Sequence, residues 1–273
     1  MRTSKSLQKK MKLVRVLHDK KTRNKEKKII LEGIRALESA VNSSIDFNFI
    51  LYSKKLVNTP RGAKLLKKID KLGVEHTMIS NDNLLQIAQT ETSQGVIAIA
   101  EQKEYVLSQI DLENKFCFLV LLDSVQDPGN VGTIIRTAEA AGANGVILSK
   151  GCVDVYNSKT IRSSMGAIFN IPVVKTQNLK DTVDFLKKKG VRIFATDVKA
   201  KEQHFNVRYS GKSAILLGNE AQGLKSDIIS KADEKIKIPI MGKSESINVA
   251  TAASVVIYER VRQNWKYLTR TKK

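Results

Sequence analysis

The sequence predicts an α/β protein in two parts, the second built on a parallel sheet. Three observations predict it. Strand-like and helix-like patterns alternate along the 273 residues. Near-continuous apolar runs at 116–122, 191–196 and 214–217 mark strands covered on both faces, as in parallel sheets. A charged stretch at 106–115, without a clear strand pattern, reads as a linker between two series of elements. The expected division is residues 1–105, with a basic opening segment at 1–28, and then 116–273.

In the first part, residues 31–41 carry apolar side chains at helical spacing (Leu31, Ile34, Leu37 and Val41). Strands follow at 47–52, 74–79 and 95–100, with helices at 60–71 and 82–90 between them. In the second part strands are expected at 116–122, 145–148, 172–174, 191–196, 214–217 and 235–238. Helices are expected at 131–141, 158–168, 179–189 and 225–230. The last helix runs from 249 to 265, with Val249, Ala252, Ala253, Val256 and Ile257 as its apolar stripe.

Composition narrows the function classes. The longest apolar run has seven residues, at 116–122, whereas a membrane span needs about 20. Residues 1–28 lack the apolar core of a secretory signal and are Lys-rich rather than Arg- and Ser-rich, which disfavours a mitochondrial presequence. Cys117 and Cys152 are too far apart for a disulfide framework or a zinc site, and His18, His76 and His204 are scattered. No metal and a reducing, cytoplasmic compartment are therefore expected. The net charge is +20, and residues 1–28 hold twelve Lys or Arg against Asp19 and Glu26. Residues 260–273 add six more basic side chains and no acid. Such blocks are the electrostatic footprint of a nucleic-acid binder. Aromatic residues make up only 5%, so a structured RNA read by shape and phosphate fits better than a stacked single strand.

Ligands of parallel α/β sheets bind outside the carboxyl ends of the strands, so the segments after strands carry the chemistry. The first, LDSVQDPGNVGTIIR at 122–136, has turn chemistry at Asp127-Pro128-Gly129 and Asn130 placed as an N-cap. In the helix it opens, Ile134, Ile135, Ala138 and Ala141 suit burial. Thr133, Arg136, Thr137 and Ala140 share another face, where small neighbours leave Arg136 room to reach a phosphate. The second, LLGNEAQGL at 216–224, has Gly218 and Gly223 for close backbone approach and Glu220 between them. Thr196 ends another strand. The third, IPIMGKSESINVATAASV at 238–255, breaks a strand at Pro239, passes a polar loop with Ser246, and opens a helix at Asn248. Neither a Walker-type phosphate loop nor a Gly-x-Gly-x-x-Gly fingerprint occurs.

In order and spacing these three segments resemble the motifs of the SpoU (TrmH-type) RNA ribose 2′-O-methyltransferases of the SPOUT superfamily, over roughly 116–265. The first half is similar to the substrate-binding domain often joined to them, through KKIILEGIRAL at 27–37. The resemblance implies a trefoil knot formed by the Gly218 loop and residues 238–248, with S-adenosylmethionine bound in it. Thr196, Leu217, Gly218, Gly223, Ile238 and Ile247 are then the donor-binding residues. Arg136, Asn130, Glu220, Ser246 and Asn248 fall on the catalytic positions. Arg136 is the base proposed for this family, yet a guanidinium holds its proton at neutral pH, so clamping a phosphate and stabilising an alkoxide is the other role open to it. The resemblance further implies a homodimer joined through the knot domain. Large-subunit ribosomal RNA is the expected substrate. Transfer RNA, and a non-catalytic RNA-binding or ribosome-assembly role for the same fold, are the alternatives.

Overall fold

The computed structural model describes residues 5–43 and 45–268. Residues 1–4 of the first basic block and 269–273 of the second lie outside the described residues. In chain order the elements are α1 (Lys5–Val16), α2 (Lys20–Glu26), β1 (Lys28–Glu32), α3 (Ile34–Val41), β2 (Phe47–Tyr52), α4 (Lys54–Val57), α5 (Pro60–Lys71), β3 (His76–Met78), α6 (Asn81–Leu85) and β4 (Val96–Glu101). They continue as β5 (Phe118–Leu122), α7 (Pro128–Ala140), β6 (Gly145–Leu148), α8 (Ser158–Ser163), β7 (Val173–Lys175), α9 (Leu179–Lys188), β8 (Arg192–Thr196), β9 (Glu202–Gln203), β10 (Ser213–Leu217), α10 (Ser226–Ile229), β11 (Glu234–Lys237) and α11 (Val249–Leu268). The chain forms two compact units. Residues up to Lys103 group with Asp154–Phe169, and the remainder forms the second.

The first unit holds a four-stranded sheet in the order β1-β4-β2-β3. Strand β4 is antiparallel to both β1 and β2, and β2 pairs in parallel with β3. Strand β1 was not expected, and its last two residues, Leu31 and Glu32, fall in the helix expected at 31–41. Ile29, Ile30 and Leu31 are a continuous buried run that pairs with β4, and Gly33 at φ 95 breaks the chain before α3 begins. The basic opening segment is also more than a charged surface. Met11, Val14 and Leu17 enter the same core as Phe49, Leu51 and Ile97. Arg23, itself buried, donates to Asp154 at 2.7 Å and to the carbonyls of Leu17 and His18. That pair fastens 154–169 to this unit. The expected helix at 158–168 stops early because Met165 (φ 52) and Gly166 (φ 90) turn left-handed. A Cβ at Gly166 would lie 2.0 Å from that of Ser39 in α3, so glycine is required for the close packing.

The second unit holds a seven-stranded sheet in the order β7-β6-β5-β10-β8-β11-β9, and each neighbouring pair is parallel. Strands β5 and β10 are buried throughout, as their unbroken apolar runs predict. The two-residue β9 at the sheet edge has no sequence signal long enough to read. Residues 106–115 differ from a plain linker: Ile110 and Leu112 are buried in this unit's core. Of the stripe expected on helix α11, Ala253, Val256 and Ile257 are buried while Val249 and Ala252 are half-buried, and the inward face continues through the fully buried Arg260. Arg260 donates to Ser213 Oγ at 3.2 Å and to the Phe116 carbonyl at 2.9 Å, and lies 4.3 Å over the Phe118 ring. Burial pushes its pKa down to about 10. These contacts anchor α11 to β5 and β10. No helix among the described residues is long and apolar enough to cross a membrane.

Because α1 contributes to the core, removing residues 1–28 would unfold the first unit rather than merely discharge it. Leu17→Ala is expected to cost about 2–5 kcal/mol by leaving a cavity, read as a lower denaturant midpoint with the slope unchanged.

Candidate active site

The carboxyl-terminal ends of strands β8, β10 and β11 open on one side of the second sheet, and the chain that leaves them builds a cavity of about 610 Å³. Its wall comes from residues 196–199 after β8, 217–224 after β10, 236–240 at the end of β11, and 245–252 leading into α11. Thr196, Leu217, Gly218, Gly223, Ile238 and Ile247, expected from sequence as donor-binding residues, all line it, as do Glu220 and Ser246.

Local physics shapes each arm. Asn219 exchanges two backbone hydrogen bonds with Gly223, at 3.0 and 2.9 Å. Its side-chain oxygen accepts from Ala221 and Gln222 N–H, and its amide donates to the Ser124 carbonyl at 2.8 Å. The loop is thus closed on itself and pinned to the segment after β5. Gly223 stands at φ 68, a left-handed conformation that suits glycine. At Gly218 a Cβ would lie 2.3 Å from the Gly223 carbonyl carbon, so the two arms touch backbone to backbone. Asn219 has no role assigned from sequence, because a Gly-Asn pair also serves ordinary turns and nothing in the string GN announces that it is the brace.

The three motif loops meet through Glu220. Its carboxylate accepts from Gln126 N–H at 3.2 Å, from Asp127 N–H at 3.1 Å and from Asn130 Nδ2 at 3.0 Å. Asn130 Oδ1 in turn accepts from Asn248 Nδ2 at 2.9 Å. Asn248 Oδ1 accepts from Ala250 and Thr251 N–H, so Asn248 caps α11 as expected. Asn130 does not cap α7. Asp127 does so, accepting from Asn130 N–H at 2.8 Å, with Pro128 in the first turn. The proline fixes the helix start three residues earlier than expected, which frees the Asn130 side chain to bridge Glu220 and Asn248. Burial pushes the Glu220 pKa up, but the donors from Asn130, Asp127 and Gln126 outweigh it and hold the carboxyl below the usual glutamate range.

Arg136 stands apart. It is exposed on α7, on the face with Thr133 and Ala140, while Ile134, Ile135, Ala138 and Ala141 are buried as expected. It does not line the cavity. Six residues of helix, about 9 Å of rise, separate it from Asn130. The shared face holds together through α11, where the Thr137 and Ser254 hydroxyls lie 3.3 Å apart. Asp197, Val198 and Lys199 also line the cavity. Sequence reasoning reached this strand end through Thr196 but not Val198 or Lys199.

Comparisons with known proteins give the family and the fold. The model of the SpoU rRNA Methylase family matches residues 117–258, and that of the MRM3-like substrate binding domain matches 8–98. The chain is 35% identical, over 89% of its length and 92% of the relative's, to the 23S rRNA (guanosine(2553)-2′-O)-methyltransferase of Bacillus subtilis. Among solved structures it resembles the SpoU methyltransferase AviRb from Streptomyces viridochromogenes in complex with the cofactor AdoMet. The TM-score is 0.84 at 27% identity, covering 94% of this chain and 98% of that one. The AdoMet-bound rRNA methyltransferase from Sinorhizobium meliloti gives a TM-score of 0.83 at 30% identity, over 95% and 96% of the two chains.

The depressed Glu220 pKa sets a pH dependence. A carboxyl that binds its proton less tightly when folded contributes stability that is complete above the unfolded glutamate pKa. That contribution is lost as pH falls through the lowered folded value. Glu220→Gln is therefore expected to flatten the acid limb of the thermal midpoint as pH falls below the unfolded glutamate pKa, by less than a buried pair would because the residue is exposed. An acid limb identical to wild type would show that the carboxylate does not brace the loops.

Proposed function

The chain belongs to the SpoU rRNA methylase family, and from that premise we propose that it methylates a ribose 2′-hydroxyl of large-subunit ribosomal RNA. The observation that carries this reading is the Glu220–Asn130–Asn248 link, which gathers the three motif loops at one set of strand ends. The methyl donor is S-adenosylmethionine. The residues present fit it: the cavity is within the size range of small-molecule sites, glycine backbone forms one wall, and Leu217, Ile238 and Ile247 offer apolar surface to a base. When bound, the donor supplies an electrophilic methyl for the ribose oxygen. The Gly218 loop and residues 238–248, proposed as the trefoil knot, hold it against backbone.

The polar residues serve the RNA side. Glu220, already saturated with donors, holds Asn130 and the loop after β5 in place. Ser246 lines the cavity to orient the ribose, and Asn248 holds the third loop through Asn130. Much of the rate then comes from aligning hydroxyl and methyl. Arg136, exposed and outside its own chain's cavity, clamps the adjacent phosphate and stabilises negative charge as the hydroxyl loses its proton. Acting as the base itself is the other role the family resemblance leaves open.

Arg136 reaches a reaction centre best in a homodimer. Support comes from α11, where Thr251, Val255, Tyr258, Arg262 and Trp265 form one exposed stripe at helical spacing, apolar enough to pair with a second copy. The basic first unit supplies phosphate contacts to a large structured RNA. The free cysteines Cys117 and Cys152 suit a cytoplasmic setting.

Incubation with labelled S-adenosylmethionine and unmodified total RNA, followed by ribose-methylation mapping, is expected to give one new 2′-O-methyl site in large-subunit rRNA. Arg136→Ala is expected to lower methyl transfer by at least about 100-fold while donor affinity, read by calorimetry, stays near wild type. A site in transfer RNA would overturn the substrate, and near-wild-type activity of the variant would overturn the role of Arg136.

A further inference from the structure

The first unit contains a second cavity, of about 260 Å³, that the reaction centre does not use. Residues of three segments line it: the β1–α3 turn with Arg35 and Ala36, the loop with Thr92 and Gln94, and the α8 segment with Ile161, Arg162 and Met165. The last three lie outside the stretch matched by the substrate-binding family model, at 8–98, yet pack in this unit.

Its chemistry is lopsided toward anions. Arg162 Nη1 is buried and has no hydrogen-bond partner, an unfavourable state that an anionic oxygen would relieve. Arg35 brings a second guanidinium. The first N–H groups of α3 have no intrahelical acceptor. Gly33 at the N-cap has no side chain to offer. Gln94 Oε1 accepts from Ile34 N–H at 2.7 Å, which leaves the Arg35 and Ala36 amides in the first turn. Glu32, the one acid in the lining, is already engaged by the Gln89 and Thr90 backbone N–H groups and by the Thr90 hydroxyl. The opposite character comes from Ala36, Ile161 and Met165, an apolar surface for a flat ring. The Thr92 hydroxyl and the Gln94 amide can meet a base edge.

Resting on the RNA reading above, we propose that this cavity receives a single unstacked ribonucleotide of the substrate. Its phosphate lies at Arg35 and Arg162, and its base lies against Ala36, Ile161 and Met165. The site makes recognition depend on a nucleotide splayed out of the RNA, in a unit separate from the donor cavity.

The test uses the full chain with its methionines carrying ¹³C-methyl labels, the Met165 signal being assigned through Met165→Leu. The four ribonucleoside 5′-monophosphates and inorganic phosphate are titrated separately. At least one nucleotide is expected to shift the Met165 signal while Met11 and Met78 stay fixed, and Arg162→Gln is expected to weaken that nucleotide about tenfold. No shift with any nucleotide, or unchanged affinity in the variant, would overturn the proposal. A full shift with inorganic phosphate alone would overturn its base-binding half. The readout is independent of methyl transfer, so a responding Met165 in a protein that methylates nothing would sink the catalytic reading and leave this one standing.

Discussion

A single exposed carboxylate organises the reaction centre. Glu220 takes hydrogen bonds from two backbone N–H groups and from Asn130, and Asn130 passes the constraint on to Asn248. Three loops that are far apart in sequence become one surface through these few bonds. Hydrogen bonds to a charged acceptor are stronger than neutral ones, so the link has enough strength to fix loop positions although water reaches it. The donor cavity inherits its shape from this arrangement.

The loops can be held this way because the sheet beneath them is continuous and its central strands are buried. Strands β5, β8 and β10 lie side by side in parallel with their carboxyl ends on one side. Arg260 ties α11 to β5 and β10 from beneath. Asn248 at the start of that helix is therefore presented at a fixed height to Asn130 on α7. The close approach of Gly218 and Gly223 then sets one wall of the cavity with no side chain between backbone and ligand. Rigid scaffold, braced loops and bare backbone together make a site that orients its substrates rather than attacking them.

Much of this was legible in the sequence, for reasons that differ by element. The strands of the second sheet announced themselves because double-sided burial demands unbroken apolar runs, and the buried and exposed faces of α7 followed from helical spacing. Asn248 was readable as a cap because its position before a helix leaves few other roles. Asn130 was misread as one because Asp127, three residues earlier, competes for the same task, and Pro128 decides in its favour. The strand β1 was hidden because Leu31 also fits the helical spacing of Ile34, Leu37 and Val41, and only pairing with β4 resolves the choice. Met11, Val14 and Leu17 were masked by the lysines around them, since a strongly basic helix can still bury one narrow face. The arrangement of Arg35 and Arg162 around a common cavity is set by tertiary packing and has no signature in either segment.

The first unit thus combines a basic exterior with a core of its own, and the second supplies the braced loops. Their common premise is that the motif residues act as one connected unit. A double-mutant cycle on S-adenosylmethionine affinity, with Asn130→Ala, Glu220→Gln and the pair, tests that most directly. If Glu220 and Asn130 form one brace, the pair loses little more affinity than either single change, with a coupling energy of about 0.5–3 kcal/mol. Losses that simply add, or none at all, would contradict the account.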